Sequence, residues 1–124
     1  MKRTLLFLFT ALPILLNAQD FNAEIKYLKQ YIKSSQCMFT RNGDTYAAPK
    51  ALEHIEKKYQ YYKNDITSAE RFIEKSASKS TFSGKAYSVT CPAGHKQSGH
   101  SKQNLSSKVW LLRALNEYRN SLKQ

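Results

Sequence analysis

Four stretches of the chain space their apolar residues as amphipathic helices do. In residues 20–35 these positions fall at i, i+4, i+7 and i+11, which places them on one face of a helix. A second helix is predicted from Pro49 to about Lys63, because proline is favoured in the first turn of a helix. The apolar stripes of these two helices consist of Phe21, Ile25, Leu28 and Ile32, and of Leu52, Ile55, Tyr59 and Tyr62.

Two further helices are predicted in the second half of the chain. Thr67-Ser68-Ala69-Glu70 has the pattern of a capping box, in which the threonine hydroxyl and the glutamate carboxylate bond reciprocal main-chain amides. The helix after it buries Ala69, Phe72, Ile73 and Ala77. The last helix presents a wide apolar face, made of Trp110, Leu111, Leu112, Leu115, Tyr118 and Leu122.

Residues 37–47 predict a β-hairpin. Asn42-Gly43 stands between two short alternating runs, and this dipeptide is strongly preferred in a type I′ hairpin turn. Such a two-residue turn fixes the register, so that Arg41 lies opposite Asp44 and Phe39 lies opposite Tyr46.

Residues 85–91 alternate in the same way and predict a third strand. The segment from Pro92 to Lys108 is rich in Gly, Ser, Gln, His and Lys, which is typical of a surface loop. The expected fold class is therefore α+β, with about four helices around a small antiparallel sheet formed by the hairpin near 37–47 and the strand near 85–91.

The start of the chain has the pattern of a secretory signal peptide. Lys2-Arg3 precedes the apolar run Leu5–Leu16, and Asn17-Ala18 supplies a small residue for cleavage. The run is shorter than the roughly 20 apolar residues that span a bilayer, so an uncleaved membrane anchor is the less favoured alternative. We expect residues 1–18 to be removed and residues 19–124 to form one periplasmic or secreted domain.

The charge of the chain is strongly positive. Removal of Lys2 and Arg3 leaves 18 basic residues against nine acidic ones, a net charge of +9. Outside the cytoplasm the abundant polyanions are lipid headgroups, lipopolysaccharide and wall polymers, and a basic surface of Lys57, Lys58 and Lys63 could meet them. The alternative is that excess lysine serves only solubility. Lysines and tyrosines also interleave there, but an exported protein is not expected to bind nucleic acid.

Two cysteines, Cys37 and Cys91, are expected to form one disulfide, because the predicted compartment is oxidising. A metal site that adds His95 and His100 to both cysteines is the alternative. Its spacing fits no common zinc pattern, so neither a metal nor a cofactor is expected.

Several short runs resemble the YfeK-like family of small periplasmic bacterial proteins. They are Phe39-Thr40-Arg41-Asn42-Gly43 with Tyr46, then His54 and Lys58, then Ile66 to Ile73, Ala77 to Ser80, Ser83-Gly84 and Tyr87. The family is a domain of unknown function, so the resemblance implies a periplasmic α+β domain and no reaction. Thr81-Phe82 departs from it, since a smaller and more polar pair is expected there.

The polar residues of these runs could converge on one pocket that suits an anion, since Arg, Lys and hydroxyl groups all donate hydrogen bonds. The alternative is that they stabilise turns and caps only. We take the following as candidate ligand-binding residues: Arg41, Asn42, Tyr46, His54, Lys58, Ser80, Ser83 and Tyr87.

No sequence pattern identifies a reaction. Ser76-Ala77-Ser78-Lys79 matches the S-x-x-K of acyltransferases that act on cell-wall peptides, but those enzymes need two further motifs that this chain lacks. The favoured function is therefore a non-enzymatic binding or scaffolding module for an anionic envelope component or an envelope protein. The alternative is a small hydrolase or transferase that uses His54 with a loop serine.

Overall fold

The computed structural model describes residues 20–93 and 103–124. The predicted signal peptide and the His-containing part of the polar segment lie outside the described residues. The elements are α1 (Phe21–Ser34), β1 (Met38–Arg41), β2 (Asp44–Ala47), α2 (Ala48–Tyr62), α3 (Ala69–Ser76), β3 (Ser88–Cys91), β4 (Gln103–Ser106) and α4 (Ser107–Ser121), with a short 3₁₀ turn, Lys63–Asp65, after α2.

The strands form one antiparallel sheet in the order β2-β1-β3-β4. The predicted hairpin is confirmed, since Arg41 pairs with Asp44 and Phe39 pairs with Tyr46. Asn42 and Gly43 have φ angles of 51° and 83°, and a type I′ turn requires positive φ at both positions. The α+β fold with its helices around a small antiparallel sheet is therefore confirmed.

The core lies where the helices meet one another and one face of the sheet. Its largest fully buried side chains include Trp110, Phe72 and Leu28. The Trp110 ring also meets the ring of Phe39 edge to face, with 5.5 Å between centroids, so the last helix is fixed on the first strand. No helix in residues 20–93 or 103–124 is long and apolar enough to cross a membrane.

A disulfide joins Cys37 to Cys91, as predicted. The two residues flank the pairing of β1 with β3, in which Met38 lies opposite Thr90. Both cysteines are buried, so the bond connects the two central strands inside the core. The metal alternative requires these sulfurs as free thiolates, and the disulfide removes both of them.

The expectation of a continuous loop over 92–108 was wrong at its end. Residues 103–106 form β4, in which Leu105 pairs with Val89 of β3. A four-residue strand with a single apolar side chain carries no alternating signal of its own, and its main-chain hydrogen bonds to β3 define it. β3 is also shorter than the predicted 85–91, because only an isolated bridge between Lys79 and Ala86 precedes it.

The start of α3 and the end of α4 differ from the expectation. The N-cap of α3 is Ser68, not Thr67, since the Ser68 hydroxyl accepts a hydrogen bond of 3.1 Å from the amide of Arg71. α3 begins at Ala69, so only Ser68 is placed to reach the third amide of the helix. Leu122 lies beyond α4 and is 60% exposed, so it is not part of the core.

One ion-pair network joins three helices at the end of the domain near Leu122. Arg119 of α4 binds the buried carboxylate of Glu24 in α1, with 2.5 Å between Nε and Oε2, and also binds Glu70 of α3. The hydrogen bond from Arg119 lowers the pKa of Glu70. A buried carboxylate is costly unless it is paired, so Arg119 stabilises the packing of all three helices.

Candidate functional site

Lys58 of α2 connects the helix to the loop between α3 and β3. Its Nζ donates to the main-chain carbonyl of Lys79 at 2.6 Å and to the Tyr87 hydroxyl at 3.3 Å. It also lies 5.2 Å from the centroid of the Tyr87 ring. Burial lowers the pKa of the Lys58 ammonium, and the charges of Arg41 and Lys79 lower it further. Lys58 therefore stabilises the loop and does not belong to a freely solvated surface.

Asn42 at the hairpin tip bonds to the same loop from the other side. Its Nδ2 donates to Ser80 Oγ at 3.2 Å, while its Oδ1 accepts from Ser83 Oγ at 2.6 Å. Ser83 Oγ in turn accepts from the amide of Lys85 at 3.2 Å. The side chain of Asn42 thus closes a network that fixes the loop against the sheet.

His54 lies in a small apolar cavity next to this network. Arg41, Tyr46 and Tyr87 line the cavity with it, and the volume is about 30 Å³, which is room for a water molecule. His54 Nε2 is buried and has no hydrogen-bond partner among the described residues. Burial lowers the pKa of His54, as do the charges of Arg41, Lys50 and Lys57, which favours the neutral form of the imidazole.

The structure therefore brings the predicted candidates together, but in two neighbouring groups. Asn42, Ser80 and Ser83 bond to one another, whereas Arg41, Tyr46, His54 and Tyr87 enclose the small cavity, and Lys58 lies between the groups. Neither Ser80 nor Ser83 bonds to His54, and both bond to Asn42. This arrangement gives the hydrolase alternative no support.

The same loop also lines an open cleft of about 250 Å³, which the sequence did not predict. Three lysines line it: Lys58, Lys75 from the end of α3 and Lys79 from the loop. Lys75 Nζ lies 5.8 Å from the centroid of the Tyr62 ring, which forms the wall contributed by α2. The remaining lining residues are Glu74, Ser80, Thr81 and Gly84.

Among the described residues, no ion pair neutralises the lysines of this cleft. Glu74 pairs with Arg71 at 3.3 Å. In residues 20–93 and 103–124, no acidic group forms an ion pair with Lys75 or Lys79. A second cleft of about 300 Å³ shares Glu74, Lys79 and Gly84 with the first and adds Lys108. We call these two adjoining spaces the cationic cleft.

The three lysines of the predicted basic surface, Lys57, Lys58 and Lys63, have different surroundings in the structure. Lys57 forms an ion pair with Glu53 at 3.5 Å, and Lys63 is exposed but does not line the cationic cleft. Of the three lysines in the predicted basic surface, only Lys58 lines the cationic cleft. Lys75 and Lys79 were missed, because Lys75 lies in α3 and Lys79 lies in the loop after it, so no helical spacing relates them.

Comparison with known proteins identifies the family. Residues 19–119 match the family of unknown function DUF5329. The chain belongs to this family. It is also 43% identical over 49 residues to the "Uncharacterized protein YfeK" of Salmonella typhimurium, which agrees with the resemblance seen in the sequence. The match spans 40% of this chain and 41% of that relative. No solved structure matches.

Proposed function

We propose that this protein is an exported, non-catalytic module that binds a phosphate-bearing component of the bacterial envelope in the cationic cleft. The shared chemistry is a phosphate ester, as found in phospholipid headgroups and in lipopolysaccharide. The convergence of Lys58, Lys75 and Lys79 on one open space carries the proposal.

The chemistry of the cleft matches that of a phosphate. An ammonium group acts as a strongly hydrated point charge with three donors, and lysine is a common phosphate ligand. Ser80 and Thr81 add hydroxyl groups to the lining. Because Glu74 is already paired with Arg71, an entering anion meets a net positive surface.

The loop that forms this cleft is held in place without a ligand. Asn42 and Lys58 bond to it from opposite sides, so little conformational entropy is lost on binding. A loop fixed in this way suits recognition of a ligand. Catalysis by His54 with a loop serine is not favoured, because the imidazole of His54 and the hydroxyls of Ser80 and Ser83 lie in separate groups of contacts.

Export is the part of the proposal that the sequence supports. The Lys2-Arg3 start, the run Leu5–Leu16 and the Asn17-Ala18 boundary favour cleavage before Gln19. The intact mass of the protein recovered from the periplasm should therefore correspond to a chain that begins at Gln19. Recovery of the uncleaved chain in the membrane fraction would contradict it.

A pair of charge-matched variants tests the binding site. Lys75→Gln/Lys79→Gln removes two charges from the cationic cleft, whereas Lys26→Gln/Lys33→Gln removes two from the exposed side of α1. Each lysine near an anionic surface contributes about 1 kcal/mol. We expect the cleft variant to bind phosphatidylglycerol vesicles roughly tenfold or more weakly at low salt, and the α1 variant to lose less.

Three lipid samples separate the sources of the phosphate. Vesicles of phosphatidylglycerol, vesicles of phosphatidylcholine and micelles of lipopolysaccharide are each sedimented with the wild-type protein and both variants. Preference for either anionic sample identifies the source. Equal binding of the two variants to every sample would show that the cleft is not the site.

A further inference from the structure

We infer that the turn Thr81–Gly84 docks this protein on the surface of an anionic phospholipid bilayer, with the ring of Phe82 among the headgroups. The inference rests on the proposed function and names its partner. It starts from an exposed aromatic side chain, since Phe82 is fully exposed, at 103% of its reference area.

Phe82 lies next to the cationic cleft. Its neighbour Thr81 lines the cationic cleft, and the exposed residues Lys79 and Lys85 flank the turn. Tyr61, which is 81% exposed, packs its ring against that of Tyr62 in the wall of the same cleft. The two most exposed large apolar side chains of the described residues thus lie beside the cationic cleft.

The turn presents Phe82 from a fixed base. The amide of Gly84 donates to the carbonyl of Ser80 at 3.0 Å, and the amide of Ser80 donates to the carbonyl of Lys85 at 3.0 Å. Gly84 adopts a φ of +70°, which glycine tolerates best. Since Asn42 also bonds to Ser80 and Ser83, the tip does not need to be ordered on binding.

Charge and apolar surface together select a bilayer over another partner. A phosphate group free in solution offers nothing for Phe82 to contact. A bilayer surface offers both anionic headgroups, which attract nearby lysines, and a boundary with the acyl chains that apolar side chains such as Phe can enter. The surface around Phe82 therefore matches a bilayer both in charge and in its apolar side chains.

The experiment compares Phe82→Ser with Leu122→Ser in the full exported chain. Leu122 is 60% exposed and lies just after the end of α4. About 20 Å of helix separates it from Lys108, which lines the cleft near the start of α4. Phe82→Ser should weaken binding to phosphatidylglycerol vesicles about tenfold, while Leu122→Ser leaves it unchanged. Neither substitution should alter the affinity for glycerol 1-phosphate, which is a soluble analogue of the lipid headgroup and forms no bilayer.

Fluorescence locates the side chain directly. Phe82→Trp should show a blue-shifted emission with these vesicles and should be quenched by brominated lipids. The spectrum of wild-type protein, whose single tryptophan Trp110 is buried, is the reference. The inference is wrong if Phe82→Ser binds vesicles as well as wild type does and Phe82→Trp is not quenched. In that case the cleft binds phosphate without insertion into a bilayer, or Phe82 contacts a protein. Loss of glycerol 1-phosphate binding in Lys75→Gln/Lys79→Gln remains a separate result that concerns the proposed function.

Discussion

Lys58 Nζ lies 2.6 Å from the main-chain carbonyl oxygen of Lys79. This single hydrogen bond connects the middle of α2 to a loop 21 residues later in the chain. Its consequence is that a lysine which the sequence places on a solvated face holds the loop whose residues Lys79, Ser80 and Thr81 line the cationic cleft.

Replacement of Lys58 by Met should destabilise the protein. The methionine keeps an apolar stem but loses the bonds to Lys79 and Tyr87. Hydrogen bonds to charged groups contribute about 1.5–3 kcal/mol, so we expect a loss of about 2 kcal/mol in the free energy of unfolding, measured with urea. Lys57→Met is the control, because Lys57 forms only an exposed ion pair, and its effect should stay within about 0.5 kcal/mol. Equal effects of the two substitutions would show that Lys58 does not hold the loop.

Substitutions of Asn42 separate its two roles. Asn42→Gly keeps a residue that accepts the positive φ but removes the bonds to Ser80 and Ser83. It should cost about 1 kcal/mol and speed amide exchange at Lys85, whose amide bonds to Ser83. Asn42→Ala adds the strain of the left-handed conformation, about another 1 kcal/mol. If Asn42→Gly matches wild type in both measurements, the bridge contributes nothing.

Reduction of the disulfide should lower stability strongly. The bond joins residues separated by 54 positions, and the chain-entropy model gives about 4 kcal/mol for a loop of that length. Thermal unfolding with and without dithiothreitol measures the change. The variant Cys37→Ala/Cys91→Ala should be insensitive to the reductant. Quantitative thiol labelling of native protein isolated from the periplasm would contradict this prediction.

The pH dependence of stability should contain a contribution from His54. Since burial and nearby cations lower its folded-state pKa below the ordinary value of 6.5, protonation is easier in the unfolded chain. The stabilising contribution is therefore present above about pH 6.5 and is lost as the pH falls through the folded-state pKa. His54→Phe, which keeps an aromatic ring beside Tyr46, should show a smaller fall between pH 7 and pH 5. An NMR titration that places the midpoint of His54 above 6.5 would contradict the prediction.

The sequence predicts those parts of the fold that have a local cause. Asn42-Gly43 determines the hairpin register, and the apolar stripe containing Leu28 and Ile32 determines the buried face of α1. β4 has no comparable local signal. It exists because β3 offers unpaired main-chain groups next to it, which is a relationship between segments and not a property of residues 103–106.

The candidate site shows the same division. The resemblance selected residues that do lie together, but it could not show that Asn42, Ser80 and Ser83 satisfy one another. The cationic cleft depends on the packing of α3 against α2, which brings Lys75 beside Tyr62. Net charge alone could not locate it, because ion pairs with Glu53, Glu56 and Glu74 neutralise several of the other basic residues.

Amide chemical shifts during a titration with glycerol 1-phosphate test the central claim most directly. If the cationic cleft binds phosphate esters, the amides of Lys79, Ser80, Thr81 and Gly84 should shift together and saturate, and those shifts should disappear in Lys75→Gln/Lys79→Gln. The amides around Lys26 on α1 should not move. Small, unsaturated shifts spread over all exposed lysines would contradict the claim, since they would show that the positive charge acts only as a diffuse field.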